Sequence, residues 1–148
     1  MITFKDKVWF EVAQVISKLS KCQKGGTGAV IVSADGRLVG SGYTGHPHGW
    51  NDEVCDRQGI ASNTCYDSNG LGLHAELNAI LHTAYLDRQL GTLYSSRALC
   101  RQCALQAAQA GIKRIVCPDD LPSVKGTRYS GLDLLRENDT TIRIDIIE

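Results

Sequence analysis

The fold is decided by residues 92–117, which read TLYSSRALCRQCALQAAQAGIKRIVC. Short segments at the two ends, over 92–95 and 114–117, predict two strands. The Ala-rich segment between them, over 100–110, predicts a helix that ends at Gly111. A strand, a helix and a second strand in this order predict a right-handed crossover between parallel strands. The segment therefore indicates an α/β protein.

The flanking sequence supplies the other elements. They are predicted in this order: a helix over 3–19, strands over 28–32 and 38–43, helices over 73–85 and 130–137, and a last strand over 142–146. Thr3 and Asp6 form a start signal for the first helix, and Asp35-Gly36 indicates a hairpin between the first two strands. Together these elements predict a three-layer α/β/α sandwich with a five-stranded mixed sheet, in which the hairpin is the antiparallel part.

Length and composition indicate the number of domains, the type of substrate and the cellular location that we expect. The chain has 148 residues, a formal net charge of zero and six cysteines, and this length predicts a single domain over 1–148. The zero net charge favours a small-molecule substrate over a polynucleotide, because nucleic-acid binding needs a basic surface. From the sequence we expect neither a membrane-spanning segment nor a secretory signal. We therefore expect a cytoplasmic protein whose cysteines are reduced thiols or metal ligands.

Two short motifs, His74-x-Glu76 and Cys100-x-x-Cys103, predict a metal site. Two thiolates three residues apart at a helix start can bind one ion, and His74 opens another predicted helix. One imidazole and two thiolates suit zinc, and three protein ligands leave a fourth position for water, whose pKa zinc lowers to about 7. Glu76 lies where its carboxylate could act as general base and general acid. A purely structural zinc site would need a fourth Cys or His, whereas this sequence offers a carboxylate.

The two motifs together resemble the signature of zinc-dependent cytidine and deoxycytidylate deaminases. Four longer stretches are also similar to deoxycytidylate (dCMP) deaminases, including those of phages: 28–32, 40–45, 74–80 and 110–114. The resemblance covers nearly the whole chain and is weakest over 46–72 and after residue 118. The fold predicted from the residues agrees with the fold of that family.

The resemblance implies hydrolytic deamination of a cytosine nucleotide, above all of dCMP to dUMP, with zinc as the cofactor. It also implies a homo-oligomer, with a hexamer favoured, and dCTP and dTTP as effectors. The main chain at Ala75 and Ala98 is expected to orient the base. Tyr94 is a further candidate for a base contact, since an aromatic ring can stack on a flat base. The alternative is that Tyr94 fills the core, which is the more common role of an aromatic residue at a strand end.

Three positions depart from the family pattern. Leu99 stands where Pro usually precedes the first zinc cysteine, and it can adopt the same backbone conformation. Thr44 stands where the family has an Asn that resembles a sugar-binding group, and its single hydroxyl has a shorter reach. Lys24 is the remaining candidate for binding a phosphate, which it would hold as a point charge and not as a bidentate fork.

These departures leave other functions open. The protein could deaminate a modified cytosine nucleotide or a free nucleoside, or it could be an inactive, zinc-stabilised regulatory or binding protein. Glu76 argues against the last alternative, because a structural site has no use for a proton shuttle. A second zinc site is a further alternative to free thiols, formed by three cysteines with a histidine: Cys22, Cys55 and Cys65 with His46 or His48.

Overall fold

The computed structural model describes residues 1–21, 26–50, 72–120, 130–138 and 141–148. The elements in chain order are α1 (Phe4–Ser17), β1 (Gly28–Val32), β2 (Leu38–Tyr43), α2 (Ala75–Leu81), α3 (Tyr85–Arg88), β3 (Thr92–Ser95), α4 (Arg101–Gln109), β4 (Arg114–Cys117), α5 (Gly131–Asn138) and β5 (Arg143–Ile146). Within these described ranges, none of the helices has the length and apolar character needed to cross a bilayer.

The strands form one mixed sheet in the order β2-β1-β3-β4-β5. β1 pairs antiparallel with both β2 and β3, whereas β3, β4 and β5 run parallel to one another. The central strand β3 is in register with β1 through Ala29 opposite Ser95 and Val30 opposite Tyr94. The predicted five-stranded mixed sheet is confirmed, and its antiparallel part includes the β1–β3 pair in addition to the hairpin.

Helices cover both faces of the sheet. On one face, Phe10 of α1 shares a buried cluster with Val30 and Tyr94. On the other face, α2, α4 and α5 form a larger buried cluster, to which the strands contribute residues such as Ala29 and Leu93. Each large apolar side chain buried in this way stabilises the fold by roughly 1.5–3 kcal/mol. The predicted three-layer α/β/α sandwich is therefore confirmed.

The start of α1 is a capping box, as its sequence signal predicts. The Asp6 backbone N–H donates to Thr3 Oγ1 at 3.2 Å, and the Thr3 N–H donates to the Asp6 carboxylate at 2.8 Å. Both bonds satisfy backbone donors that the first helical turn leaves without a partner. The Asp6 carboxylate has further partners on the sheet, so this cap also anchors α1 to β4: the Arg114 guanidinium donates to it at 2.7 and 2.9 Å.

The helix predicted over 73–85 is interrupted. α2 ends at Leu81, and Ala84 is extended with a ψ of 144° before the short α3 begins. The Thr83 hydroxyl donates to the Ala79 carbonyl at 2.6 Å, and the Arg88 guanidinium donates to the Thr83 carbonyl at 2.9 Å. These side chains satisfy carbonyl groups near the end of α2, and therefore stabilise the break.

Close packing of α2 on β2 depends on glycine. A Cβ added at Gly42 would lie 2.5 Å from both the Ala75 carbonyl oxygen and the Ala79 nitrogen. The first turn of α2 thus lies directly on the backbone of β2, and any larger residue at position 42 would displace it. This contact fixes the position of the helix that carries Glu76.

Candidate active site and metal centre

Backbone contacts fix the approach to α2. Gly45 and Leu73 form an isolated bridge with reciprocal backbone hydrogen bonds of 3.2 and 2.7 Å. The Asn78 side-chain amide donates to the Tyr43 carbonyl at 2.9 Å, and so ties the helix to the end of β2. Because His74 directly follows Leu73, these contacts hold it as the N-cap residue of α2, with an extended ψ of 149°.

The other two candidate ligands lie at the start of α4. Cys100 is its N-cap residue, with an extended ψ of 172°, and it forms an isolated bridge with Ser130. Cys103 lies in the first turn and is 1% exposed. Residues three apart on a helix share one face, so both sulfurs lie at the same end of α4.

The structure brings the three predicted ligands together. His74 Nδ1 lies 3.3 Å from the Sγ atom of Cys100 and 3.3 Å from the Sγ atom of Cys103. The three donor atoms all lie within 4.8 Å of one another. A tetrahedral zinc ion with bonds of about 2.0–2.3 Å holds its ligand atoms about 3.5–3.8 Å apart. The donor types and their spacing therefore fit zinc after small side-chain movements, with one coordination position left for a non-protein ligand.

The two thiols differ in their affinity for protons. A hydrogen bond from Cys103 and the neighbouring His74 lower the pKa of the Cys100 thiol below its usual range. The shared hydrogen bond with Cys100 and burial raise the pKa of Cys103 well above its usual value. Thiolate is the form that binds a metal, so metal binding at this site is linked to the release of thiol protons.

Glu76 lies beside this group without belonging to it. The side chain is buried, its Oε1 atom accepts a hydrogen bond of 2.7 Å from Ser95 Oγ, and its Oε2 atom lies 3.4 Å from Cys103 Sγ. Burial raises the pKa of the Glu76 carboxyl, and the Ser95 hydrogen bond partly opposes that effect. A buried carboxyl with a raised pKa is suited to exchange protons near neutral pH.

Thr44 lies on the segment that leads to the site. It is buried, and its Oγ1 atom accepts a hydrogen bond of 3.1 Å from the Thr27 N–H, while its own N–H donates to the Thr27 carbonyl at 3.0 Å. The hydroxyl therefore serves the backbone of the neighbouring segment. Its predicted role in sugar binding stays a prediction.

The two predicted main-chain contacts lie at the starts of the two site helices. Ala75 is the first residue of α2 and is fully buried. The Ala98 N–H donates to Asp120 Oδ1 at 2.8 Å, which holds the segment before Cys100. Leu99 is 1% exposed and its carbonyl accepts a hydrogen bond of 3.0 Å from the Gly131 N–H. Leu99 thus packs in the core and anchors α5, and the roles of Ala75 and Ala98 in substrate binding stay predictions.

The structure does not place Tyr94, the candidate for a base contact, beside the three ligands. Tyr94 belongs to the buried cluster under α1, on the opposite face of the sheet from the ligands. Its hydroxyl donates to Asp6 Oδ1 at 2.6 Å. Successive side chains of a strand point to opposite faces, so Ser95, which neither sequence motif includes, faces the site. The alternation of side chains along β3 is the sequence signal that places Tyr94 and Ser95 on opposite faces.

Several predicted residues lie outside the described ranges. Lys24, the candidate for phosphate binding, lies within 22–25, and so does Cys22. Cys55 and Cys65 lie within 51–71. The proposed phosphate contact and the alternative second zinc site therefore stay predictions.

The fold and the ligand geometry define a class of protein. The family model described as "Cytidine and deoxycytidylate deaminase zinc-binding region" matches residues 4–118. The chain therefore belongs to the cytidine and deoxycytidylate deaminase family, and His74, Cys100 and Cys103 are positioned to bind its metal ion.

Two individual relatives and one solved structure show which deaminases this chain is similar to. The deoxycytidylate deaminase of Mycobacterium phage D29 is 31% identical over 122 residues, which cover 78% of this chain and 94% of the phage protein. Human deoxycytidylate deaminase is 34% identical over 109 residues, which cover 74% of this chain but only 61% of the human protein. Among solved structures, dCMP deaminase from the cyanophage S-TIM5 in complex with dCMP and dUMP has a TM-score of 0.76 at 22% identity, with 99% of both chains covered. This structural likeness shows the shared fold.

Proposed function

We propose that this protein is a zinc-dependent deaminase that converts dCMP to dUMP. The observation that carries the proposal is the position of Glu76, a buried carboxylate whose Oε2 atom lies 3.4 Å from Cys103 Sγ, beside the three-ligand group. A site kept only for structure has no need of this carboxylate. The relatives named deoxycytidylate deaminase support dCMP as the substrate.

The proposed reaction replaces the 4-amino group of the cytosine ring by oxygen. When bound, zinc supplies an activated water as the nucleophile for C4. The C4–O bond forms, the C4–N bond breaks, and the products are the uracil carbonyl and ammonia. Glu76 would carry the two protons of the water in turn, the first to the ring nitrogen and the second, once the C4–O bond has formed, to the departing amine. Proton transfer by a positioned side chain contributes typically about 10²–10⁴-fold to the rate.

Other residues of this chain would bind and orient the nucleotide. The main chain at Ala75 and Ala98 flanks the ligands in sequence and would hold the base edge. Thr44 would contact the sugar and Lys24 the phosphate. Because Thr44 already accepts the Thr27 N–H, its hydroxyl proton is what it can offer to a sugar oxygen.

The substrate is tested by measuring deamination of a panel by the zinc-loaded protein: dCMP, a 5-substituted dCMP, deoxycytidine and cytosine. We expect dCMP to give the highest kcat/KM. A preference for the substituted nucleotide or for deoxycytidine would replace dCMP as the substrate while keeping the reaction. Zinc binding without turnover of any of the four would favour the inactive regulatory or binding protein.

The homo-oligomer, with a hexamer favoured, and the effectors dCTP and dTTP stay predictions. Analytical ultracentrifugation of the zinc-loaded protein tests the assembly, and a hexamer is the expected species. Addition of dCTP is expected to raise turnover at low dCMP concentration, and dTTP is expected to lower it.

A further inference from the structure

We propose that Ser95 is a positioning residue for the reaction. Its hydroxyl holds the Glu76 carboxylate in the orientation in which one oxygen faces the metal ligands. The inference rests on the proposed deaminase function and adds a residue that the ligand and proton-shuttle motifs do not contain.

The contact between the two side chains is short and sealed from solvent. Ser95 Oγ donates to Glu76 Oε1 at 2.7 Å, and the two residues are 0% and 4% exposed. A hydrogen bond to an ionised acceptor at this length is among the stronger ones in proteins, and the low dielectric of the protein interior strengthens it further.

Ser95, the hydrogen-bond donor, lies on a strand that is paired on both sides. β3 is the central strand, with β1 on one side and β4 on the other, and Ser95 lies opposite Ala29 in the ladder. Glu76 lies in the first turn of α2, which is fixed on β2 by the close approach at Gly42. The bond therefore joins two rigid elements, and can hold the carboxylate more precisely than a loop residue could.

Because of the hydrogen bond from Ser95, the two oxygens of the Glu76 carboxylate have different roles. Oε1 is occupied by Ser95, while Oε2 lies 3.4 Å from Cys103 Sγ. Once Cys103 binds a metal as thiolate it has no proton to share with Glu76, whereas the Ser95 hydroxyl keeps its proton. Ser95 then restrains rotation of the carboxylate, so that Oε2 remains the oxygen that exchanges protons.

If Ser95 had a purely structural role, its substitution would change the stability of the fold and not the reaction rate. A buried hydroxyl needs a partner, and loss of the hydroxyl would then affect stability alone. The weak contact of 3.4 Å from the Arg97 N–H to Ser95 Oγ belongs to that local packing. If Ser95 is a positioning residue, its effect on the rate requires Glu76. If its role is only structural, its effect does not require Glu76.

The test compares zinc-loaded wild type, Ser95→Ala, Ser95→Thr and Thr83→Val. Thr83→Val is the matched control, because it removes another buried hydroxyl hydrogen bond, from Thr83 to the Ala79 carbonyl, at the far end of α2. For Ser95→Ala we expect kcat with dCMP to fall about 10–100-fold, since small misplacements of a catalytic group cost rates of this order. KM, zinc content and the Kd for dUMP are expected to stay near wild type. Ser95→Thr keeps the hydroxyl and is expected to restore most of kcat, and Thr83→Val is expected to keep it.

A double-mutant cycle then identifies the partner. If Ser95 acts through Glu76, Ser95→Ala has no further effect on the residual rate of Glu76→Ala. Ser95→Cys, which keeps the size of the side chain but donates weakly, replaces Ser95→Ala if that variant does not fold, and a similar loss of kcat is expected.

Three results would overturn the inference: a Ser95→Ala or Ser95→Cys protein with wild-type kcat, an equal loss in Thr83→Val, or independent effects in the double mutant. Each of these would leave the deaminase function standing, because wild type would still convert dCMP. Absence of wild-type turnover with zinc bound would overturn the proposed function itself, and the role of Ser95 with it.

Discussion

Tyr94 and Ser95 are consecutive residues of β3 whose side chains bind carboxylates on opposite faces of the sheet. The Tyr94 hydroxyl donates to Asp6 at 2.6 Å under α1, and the Ser95 hydroxyl donates to Glu76 at 2.7 Å under α2 and α4. Arg114 completes the first network with its two hydrogen bonds to Asp6. One strand therefore anchors α1 through one face and the candidate catalytic carboxylate through the other.

The Asp6 network is expected to carry much of the attachment of α1. Asp6 is 2% exposed and its partner Arg114 is largely buried. We expect Asp6→Asn to lower the free energy of unfolding by about 1.5–3 kcal/mol, because it weakens charge-assisted hydrogen bonds from Arg114, which keeps its bond of 2.7 Å to Asp145. Chemical denaturation at pH 7 measures the change. Asp35→Asn is the control, since the ion pair of Asp35 with Arg37 is exposed and should contribute little.

The same carboxylate predicts a pH dependence. Burial alone would raise the pKa of Asp6, but hydrogen bonds from Arg114 and Tyr94 lower it below its usual range. Because the pKa is lower in the folded state than in the unfolded state, the ionised group stabilises the fold above about pH 4. That contribution is lost as the pH falls through the folded-state pKa. The stability difference between wild type and Asp6→Asn should therefore shrink below about pH 4, and a constant difference down to pH 2 would contradict the assignment.

Metal binding should depend on the three ligands. Elemental analysis of the purified wild type is expected to find about one zinc ion per chain, and Cys100→Ala or Cys103→Ala is expected to abolish it. Cys117→Ala is the matched control. Cys117 is fully buried on β4, where burial raises the pKa of its thiol to about 12, and it is outside the ligand group. Retention of zinc by both ligand variants would refute the site.

Gly42 should be required for the position of α2. We expect Gly42→Ala to destabilise the fold by about 1–3 kcal/mol, because the added methyl overlaps the backbone at Ala75 and Ala79, and to lower kcat by displacing Glu76. Denaturation and dCMP turnover are measured together. Gly36→Ala serves as the comparison: Gly36 has a φ of +90° but open space around it, so that change should cost about 1 kcal/mol and leave kcat unaltered.

Thr44 should act through its hydroxyl. Thr44→Val leaves the buried Thr27 N–H without its acceptor, which should cost about 1–3 kcal/mol of stability. If the hydroxyl also contacts the sugar, KM for dCMP rises in Thr44→Val and stays near wild type in Thr44→Ser. A Thr44→Val protein with unchanged KM would restrict Thr44 to its structural hydrogen bond.

Much of the fold could be predicted from the sequence because the signals are local. The strands over 28–32, 38–43, 92–95 and 114–117 have the predicted bounds, since each is a short run between turn or helix signals. The break after α2 could not be predicted in this way. It depends on Thr83 and on Arg88, whose guanidinium reaches the Thr83 carbonyl.

The residues of the candidate site also fall into two groups, those that a local sequence pattern predicts and those that it does not. His74, Cys100 and Cys103 could be predicted because ligand spacing on helices is a local pattern. The choice between Tyr94 and Ser95 could not be predicted, because alternation along β3 separates the two faces of the strand without showing which face α2 and α4 cover. The packing of helices on the sheet decides that choice.

The proposed reaction is tested by measuring dUMP formation from dCMP by the zinc-loaded wild type and by Glu76→Ala at equal zinc content. We expect turnover by the wild type and a loss of about 100-fold or more in the variant, because general acid–base catalysis contributes about 10²–10⁴-fold. Wild-type protein that binds zinc but forms no dUMP, or a Glu76→Ala variant as active as wild type, would contradict the proposed reaction.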